Sequence, residues 1–115
     1  MRKFYLAVGM AALCLLSAPA VAADVEAGKA KFQQLCATCH GPTGAGDGPA
    51  SAALNPKPRA LSDAEWQASV DDAYLGKVIK EGGPAVGLSP MMVAQRGLSD
   101  EELANIIAFI RSLDN

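Results

Sequence analysis

Two cysteines three positions apart, followed directly by a histidine, are the residues of this sequence that are best suited to chemistry. They are Cys36, Cys39 and His40, in the pattern C-x-x-C-H. Three chemistries use such a cysteine pair: a zinc site, a dithiol redox centre, and covalent attachment of a haem through both thiols. The other residues of the chain decide between these three.

Few other residues could complete a zinc site built on this motif. His40 is the only histidine of the chain, and the third cysteine, Cys14, lies in an apolar stretch near the N-terminus. A structural zinc site takes four nitrogen or sulfur ligands, and the adjacent Cys39 and His40 cannot easily bind one tetrahedral ion. A zinc site is therefore disfavoured.

A dithiol centre fits the sequence no better. A thioredoxin-like dithiol follows a strand in a βαβ pattern, whereas this motif follows a stretch with helical periodicity. A structural disulfide between Cys36 and Cys39 would close a very small loop and add little stability. Covalent haem attachment uses all three residues, because both thiols form thioethers and His40 binds the iron. We therefore predict one covalently bound haem c with its iron.

The first 23 residues have the pattern of a secretory signal peptide. A positively charged start precedes the apolar run Phe4 to Leu16, and small residues follow up to Ala23. The longer stretch Phe4 to Ala23 could just span a bilayer at about 20 residues, but the break at Pro19 argues against an uncleaved anchor. We predict a signal peptide over residues 1–23 and a single domain over residues 24–115. The expected location is periplasmic, without stable membrane insertion after cleavage.

The charge of the predicted domain excludes one class of partner. The whole chain has 10 Lys and Arg against 12 Asp and Glu, and two of the basic residues precede position 24, so the domain carries a net charge of −4. Such a chain has no basic stripe to neutralise nucleic-acid phosphates. We predict no nucleic-acid partner. Protein partners of an acidic domain are expected to present basic docking surfaces.

Apolar residues at helical spacing predict the first and last elements of the domain. The first stripe consists of Val25, Gly28, Phe32 and Leu35. Asp24 precedes this stripe and can cap the helix with its carboxylate. Near the C-terminus, Ser99–Glu102 has the pattern of a capping box and begins a second amphipathic stretch that runs to Leu113.

Two shorter helices are predicted between them. Ser62–Glu65 has the pattern of a capping box and begins a helix that carries Trp66. A further helix is predicted from Asp71 to Lys80, and the residues Gly82-Gly83-Pro84 end it. The stretch Gly41 to Arg59 lacks periodicity and contains many turn residues, which predicts an irregular loop. The predicted fold is all-α.

The chain resembles a class I c-type cytochrome, a small electron carrier with a single haem. The resemblance rests on Ala27–Phe32, Cys36–His40, Leu98–Leu103 and Phe109, and it extends over essentially all of the predicted domain. It implies a cytochrome c-like fold in which about four helices surround one covalently bound haem. In that family the first and last helices cross at a glycine, here Gly28, and pack aromatic side chains against each other.

The second axial ligand of the iron is predicted from the methionines. Met91 and Met92 lie in the loop where the resembling family carries its methionine ligand. A lysine could bind iron only as a neutral amine, which is costly near pH 7. A vacant site would suit a gas sensor or a peroxidase, and two core methionines are the structural alternative. Adjacent side chains on extended backbone point in opposite directions, so only one reaches the iron, and similar loops favour Met92.

Two further contacts are predicted, the first from the resemblance and the second from the chemistry of arginine. A backbone carbonyl after the motif, such as that of Pro49, would accept a hydrogen bond from His40 and fix the orientation of its ring. Arg59 would donate to the haem propionates through its forked guanidinium, with a solvated surface arginine as the alternative.

These assignments predict a soluble electron carrier that works between a redox donor and a redox acceptor and is not an enzyme. It has no predicted catalytic residue. Two other functions remain open. One is a haem-based ligand sensor or weak peroxidase with a displaceable sixth ligand. The other is a subunit through which electrons enter a larger oxidoreductase complex.

Overall fold

The computed structural model describes residues 4–5, 7–13 and 22–114, and every regular element within these residues is helical. The α-helices are α1 (Val25–Leu35), α2 (Ala37–His40), α3 (Ala64–Ser69), α4 (Asp72–Glu81) and α5 (Asp100–Arg111). Two 3₁₀ turns lie at Ser51–Ala53 and Gly83–Val86. The predicted all-α fold is confirmed, and α2, a single turn formed by the motif itself, adds to the four predicted helices.

The predicted signal peptide is described only in part. Residues 4–5 and 7–13 have no regular secondary structure, and residues 14–21, including Cys14, lie outside the described residues. None of the helices in the described part of the chain has the length and apolarity needed to cross a bilayer.

The first and last long helices begin where the sequence predicts. The Asp24 carboxylate accepts a hydrogen bond from the backbone N–H of Ala27 at 3.0 Å and caps α1. Ser99 and Glu102 form the predicted capping box at the start of α5, since each side chain accepts a hydrogen bond from the other residue's backbone N–H. These caps satisfy N–H groups that have no partner within the helix.

Helices α1 and α5 cross in direct contact at Gly28. A β-carbon on Gly28 would lie 1.9 Å from the carbonyl oxygen of Asn105, so no larger residue fits without moving a helix. Beside the crossing, the rings of Phe32 and Phe109 lie 5.1 Å apart between centroids with an interplanar angle of 60°, a favourable aromatic geometry. The crossing predicted from the family resemblance is confirmed.

Helix α3 begins one residue later than the predicted capping box requires, so that prediction is wrong. Ser62 donates its N–H to the carbonyl of Gly44 at 3.2 Å and belongs to the preceding loop. Asp63 is the N-cap instead, and its carboxylate accepts from the N–H of Trp66 at 3.1 Å. Aspartate caps a helix as well as serine does.

Two polar side chains join α3 and α4 to α5. The Arg111 guanidinium donates to the carbonyls of Gln67 and Val70 at 2.6 and 2.7 Å and pairs with the Asp72 carboxylate at 2.9 Å. The buried Gln67 amide donates to the carbonyl of Ile110 at 2.7 Å. The apolar core beside these contacts consists of Phe32, Leu61, Ile79, Leu98, Ile106, Phe109 and Ile110.

Candidate functional site

The helices and the loops between them surround a cavity of about 660 Å³. This volume lies within the range of roughly 300–1,000 Å³ that is usual for ligand and cofactor sites. The apolar part of its wall includes Phe32, Leu54, Leu61, Trp66, Tyr74, Leu75, Val78 and Ile79. All five predicted site residues, Cys36, Cys39, His40, Arg59 and Met92, line this one cavity.

The loop after the motif holds α2 in place. The N–H groups of Gly46 and Gly48 donate to the carbonyls of His40 and Cys39 at 2.8 and 3.1 Å. These carbonyls end a helix and would otherwise lack partners. A β-carbon on Gly48 would lie 2.3 Å from the carbonyl oxygen of Thr38, so the loop can approach α2 this closely only with glycine at that position. The motif side chains are therefore fixed at the cavity wall.

The two cysteines are half-buried, unpaired thiols on the cavity wall. Burial, with a smaller effect of the neighbouring Cys39, raises the pKa of Cys36 to about 11. Within the described residues no group of three or more His, Cys, Asp and Glu side chains is arranged to hold a metal ion. The small number of nitrogen and sulfur ligands in the sequence argues against zinc.

His40 is oriented by a carbonyl that the sequence analysis did not name. Its Nδ1 atom lies 2.9 Å from the carbonyl oxygen of Arg59. A proton on Nδ1 can be donated to this oxygen, which leaves Nε2 as the free ligand atom. Burial lowers the pKa of His40, and the hydrogen bond to Arg59 acts in the opposite direction. Both the burial and the tautomer suit a neutral imidazole that binds iron.

The predicted use of the Pro49 carbonyl is therefore wrong. Pro49 directly follows Gly48, whose N–H is bonded to Cys39, on the stretch of loop that packs against the end of α2. The chain then returns towards the motif, and a β-carbon on Gly46 would lie 2.7 Å from the carbonyl oxygen of Pro58. This close approach brings the next residue, Arg59, to the imidazole.

The side chain of Arg59 has a second contact. Its guanidinium carbon lies 5.6 Å from the centroid of the Trp66 ring, a cation–π arrangement at the cavity wall. Because Arg59 lines the cavity, a carboxylate-bearing ligand bound there could meet its charge. The predicted contact with a haem propionate stays a prediction.

Both methionines of the loop line the cavity, but they differ in exposure and anchoring. Met91 is 60% exposed, whereas Met92 is half-buried. The carbonyl of Met92 accepts from the N–H of Gly83 at 2.9 Å, and its own N–H donates to the carbonyl of Ser89 at 3.1 Å. Met92 is therefore better placed as a fixed ligand, and its bond to iron stays a prediction.

Sequence reasoning missed the residues that hold the ligands in place. Gly46 and Gly48 support the motif, and Gly83 bonds the methionine loop. The only signal is the frequency of glycine after the motif and after α4, which predicts loops and helix ends but no particular contacts. The partner of each glycine lies elsewhere in the chain, so periodicity could not identify it.

The residues present fit a covalently attached haem. Two thiols and one imidazole with a free Nε2 lie on the wall of a largely apolar cavity, and a half-buried thioether lines the same cavity. Neither a zinc site nor a dithiol centre has a use for the large apolar cavity or for the thioether that lines it. The fold and the site together define a small all-α haem protein of the c type.

Comparison with known proteins identifies the family. The family model for cytochrome c matches residues 25–114. The chain therefore belongs to the cytochrome c family and carries covalently bound haem c with its iron. A search of curated proteins finds no match.

The solved structures that are similar to this one include the following two. A chain of the "Kuenenia stuttgartiensis reducing HAO-like protein complex Kustc0457/Kustc0458" matches with a TM-score of 0.65 and 25% sequence identity, over 79% of this chain and 43% of that chain. The "KustC0563 c-type cytochrome" matches with a TM-score of 0.60 and 28% identity, over 76% of this chain and 98% of that chain. The present chain thus spans less than half the length of the first and nearly all of the second.

Proposed function

We propose that this protein is a periplasmic one-electron carrier whose haem iron is bound by His40 and Met92. When bound, the haem supplies reversible one-electron chemistry between Fe(III) and Fe(II). The observation that carries the proposal is that both residues line one cavity together with the two motif cysteines. An iron bound by both residues would suit electron transfer, because oxygen and peroxide would find no open position on it.

Each residue has a defined part in this proposal. Cys36 and Cys39 anchor the porphyrin through thioethers, and the Arg59 carbonyl keeps Nε2 of His40 available for the iron. The thioether of Met92 is a soft ligand that favours ferrous iron and raises the reduction potential relative to a second histidine. The wall of the cavity is largely apolar and includes Leu75, which suits the apolar surface of a porphyrin. No residue is assigned a catalytic role.

The location and the partners belong to the same proposal. The signal-peptide pattern of residues 1–23 supports export to the periplasm, where the domain would start near Asp24. The excess of acidic residues supports redox donors and acceptors with basic docking surfaces. None of these carboxylates lines the cavity, whereas Lys57 and Arg59 do. A basic partner would therefore contact the carboxylates outside the cavity margin.

A second candidate function is a subunit that passes electrons into a larger oxidoreductase complex. Its support is the similarity to part of a chain from a reducing HAO-like protein complex. Exposed apolar side chains at the cavity margin, those of Leu88, Met91 and Val93, would suit burial against another subunit. Size-exclusion chromatography of the native extract separates the two: a carrier elutes as a small haem protein, and a subunit elutes with a large complex.

The optical spectrum of the purified protein tests the carrier proposal. The ferric form should show the charge-transfer band of methionine–iron ligation, and the ferrous form should not bind carbon monoxide readily. A ferric protein without that band, whose ferrous form binds carbon monoxide, would instead be a ligand sensor or weak peroxidase with an open or displaceable sixth site.

A further inference from the structure

We propose that Gly83 is a positioning residue for the sixth ligand: it fixes the backbone at Met92 and so determines where the thioether lies. The inference rests on the proposed ligation by Met92 and adds the element that orients it. Gly83 is the first residue of the 3₁₀ turn after α4 and lies nine positions before Met92 in the sequence.

The backbone of Gly83 joins two points of the methionine loop. Its N–H donates to the carbonyl of Met92 at 2.9 Å, and its carbonyl accepts from the N–H of Leu88 at 2.8 Å. Gly83 thereby makes two hydrogen bonds within the methionine loop, and one of them is to Met92, the proposed ligand. Gly83 closely follows the end of α4, and residues of α4 line the cavity. The two hydrogen bonds of Gly83 therefore fix the methionine loop relative to α4.

The space around Gly83 admits no side chain. An added β-carbon would lie 2.1 Å from the carbonyl oxygen of Ser89 and 3.1 Å from the β-carbon of Met92. The first distance is more than an ångström shorter than an ordinary contact, and its partner is backbone, so the loop itself would have to move. The displaced residues would be Ser89, which hydrogen-bonds the Met92 N–H, and Met92 itself.

This requirement for glycine is steric and not conformational. The neighbouring Gly82 has a φ of +86°, where any L-residue is strained, but Gly83 is not among the glycines with positive φ. Alanine at position 83 therefore tests the contact with the loop without straining the backbone of residue 83. The effect should be visible at the iron, because a bound ligand atom is expected within about 0.2 Å of its usual metal distance and the loop that carries Met92 would have to move.

The experiment compares Gly83→Ala with wild type in the haem-loaded protein. Gly97→Ala is the matched control, since it lies at the end of the same loop and its added β-carbon would meet nothing within 4 Å. Gly83→Ala should lose most of the ferric methionine band, lower the reduction potential and allow the ferrous iron to bind carbon monoxide. Gly97→Ala should keep the wild-type spectrum and potential.

The outcomes separate this inference from the function on which it rests. If the wild type has the methionine band and Gly83→Ala keeps both band and potential, the positioning role is overturned while the carrier function stands. If the wild type itself lacks the band, ligation by Met92 fails, and the inference fails with it.

A second measurement applies if Gly83→Ala does not accumulate with haem. Hydrogen exchange of the wild-type protein should show a protected Gly83 amide, and its exchange should accelerate in Met92→Ala because the loop loses its attachment to iron. An unprotected Gly83 amide in the wild type would overturn the proposal.

Discussion

The Nδ1 atom of His40 lies 2.9 Å from the carbonyl oxygen of Arg59, a residue 19 positions further along the chain. This hydrogen bond makes the ligand strength of the imidazole depend on the path of the loop between the two residues. Gly46 lies on that path, with its N–H bonded to the carbonyl of His40 and its α-carbon against the backbone of Pro58. The loop thus contacts His40 at two points, at its backbone carbonyl through Gly46 and at its ring through Arg59.

Gly46→Ala should raise the reduction potential. The residue has a φ of +81°, and an added β-carbon would lie 2.7 Å from the carbonyl oxygen of Pro58, so the segment that carries Arg59 must move. A weaker hydrogen bond makes His40 a less basic ligand, which stabilises ferric iron less. Potentiometric titration measures the shift. Gly76→Ala is the control, because its β-carbon would meet only ordinary contacts. Equal potentials in Gly46→Ala and wild type would contradict the proposed role of the loop.

Acid stability should depend on Glu102. The hydrogen bond to Lys31, with smaller contributions from Ser99, lowers the pKa of Glu102 to about 2, and the two charges lie 2.7 Å apart. Because the pKa is lower in the folded state, this carboxylate stabilises the fold above its ordinary pKa, and the contribution is lost as the pH falls towards about 2. The pair is partly exposed, so the effect should be small and weakened by salt.

Glu102→Gln isolates the charge, since glutamine also suits the third position of a capping box. The free energy of unfolding should be measured against pH by circular dichroism at low salt. Between the ordinary pKa of a glutamate and about pH 2, it should fall less steeply for Glu102→Gln than for the wild type. Glu101→Gln, a neighbouring carboxylate outside the Lys31 pair, should follow the wild type. Identical curves for Glu102→Gln and wild type would show that the ion pair contributes nothing.

Folding should require the covalent haem. Without the haem, water would enter a cavity of about 660 Å³ whose wall is mostly apolar, and so small a domain has little other core to offset that exposure. The double variant Cys36→Ala, Cys39→Ala should therefore be largely disordered by far-UV circular dichroism. A helical product that melts cooperatively would contradict this expectation.

The local features of the fold could be predicted from neighbouring residues alone, whereas the non-local ones, such as the crossing at Gly28, needed the family resemblance or the structure itself. Asp24 and the Ser99–Glu102 box satisfy N–H groups within one helical turn, so neighbouring residues contain all the information needed. The start of α3 was predicted one residue early because Ser62 is held by Gly44 through a contact outside the local pattern.

The candidate site divides in the same way. Cys36, Cys39 and His40 are adjacent in the sequence and define a chemistry by themselves. The acceptor for His40 depends on where a loop returns, and the family resemblance suggested Pro49 where the structure has Arg59. Similarly, the two glycines after α4 could be predicted to end the helix, whereas the bond from Gly83 to Met92 follows only from the packed loop.

The central claim, ligation of iron by His40 and Met92, is tested most directly by the ferric spectra of two matched variants. Met92→Ala should lose the methionine–iron charge-transfer band, have a lower reduction potential and bind carbon monoxide when reduced, because the soft thioether is removed and its position opens. Met91→Ala, which removes the more exposed neighbour, should keep the wild-type spectrum. The reverse pattern would assign the ligand to Met91. Unchanged spectra in both variants, together with ready binding of carbon monoxide by the wild type, would contradict the account.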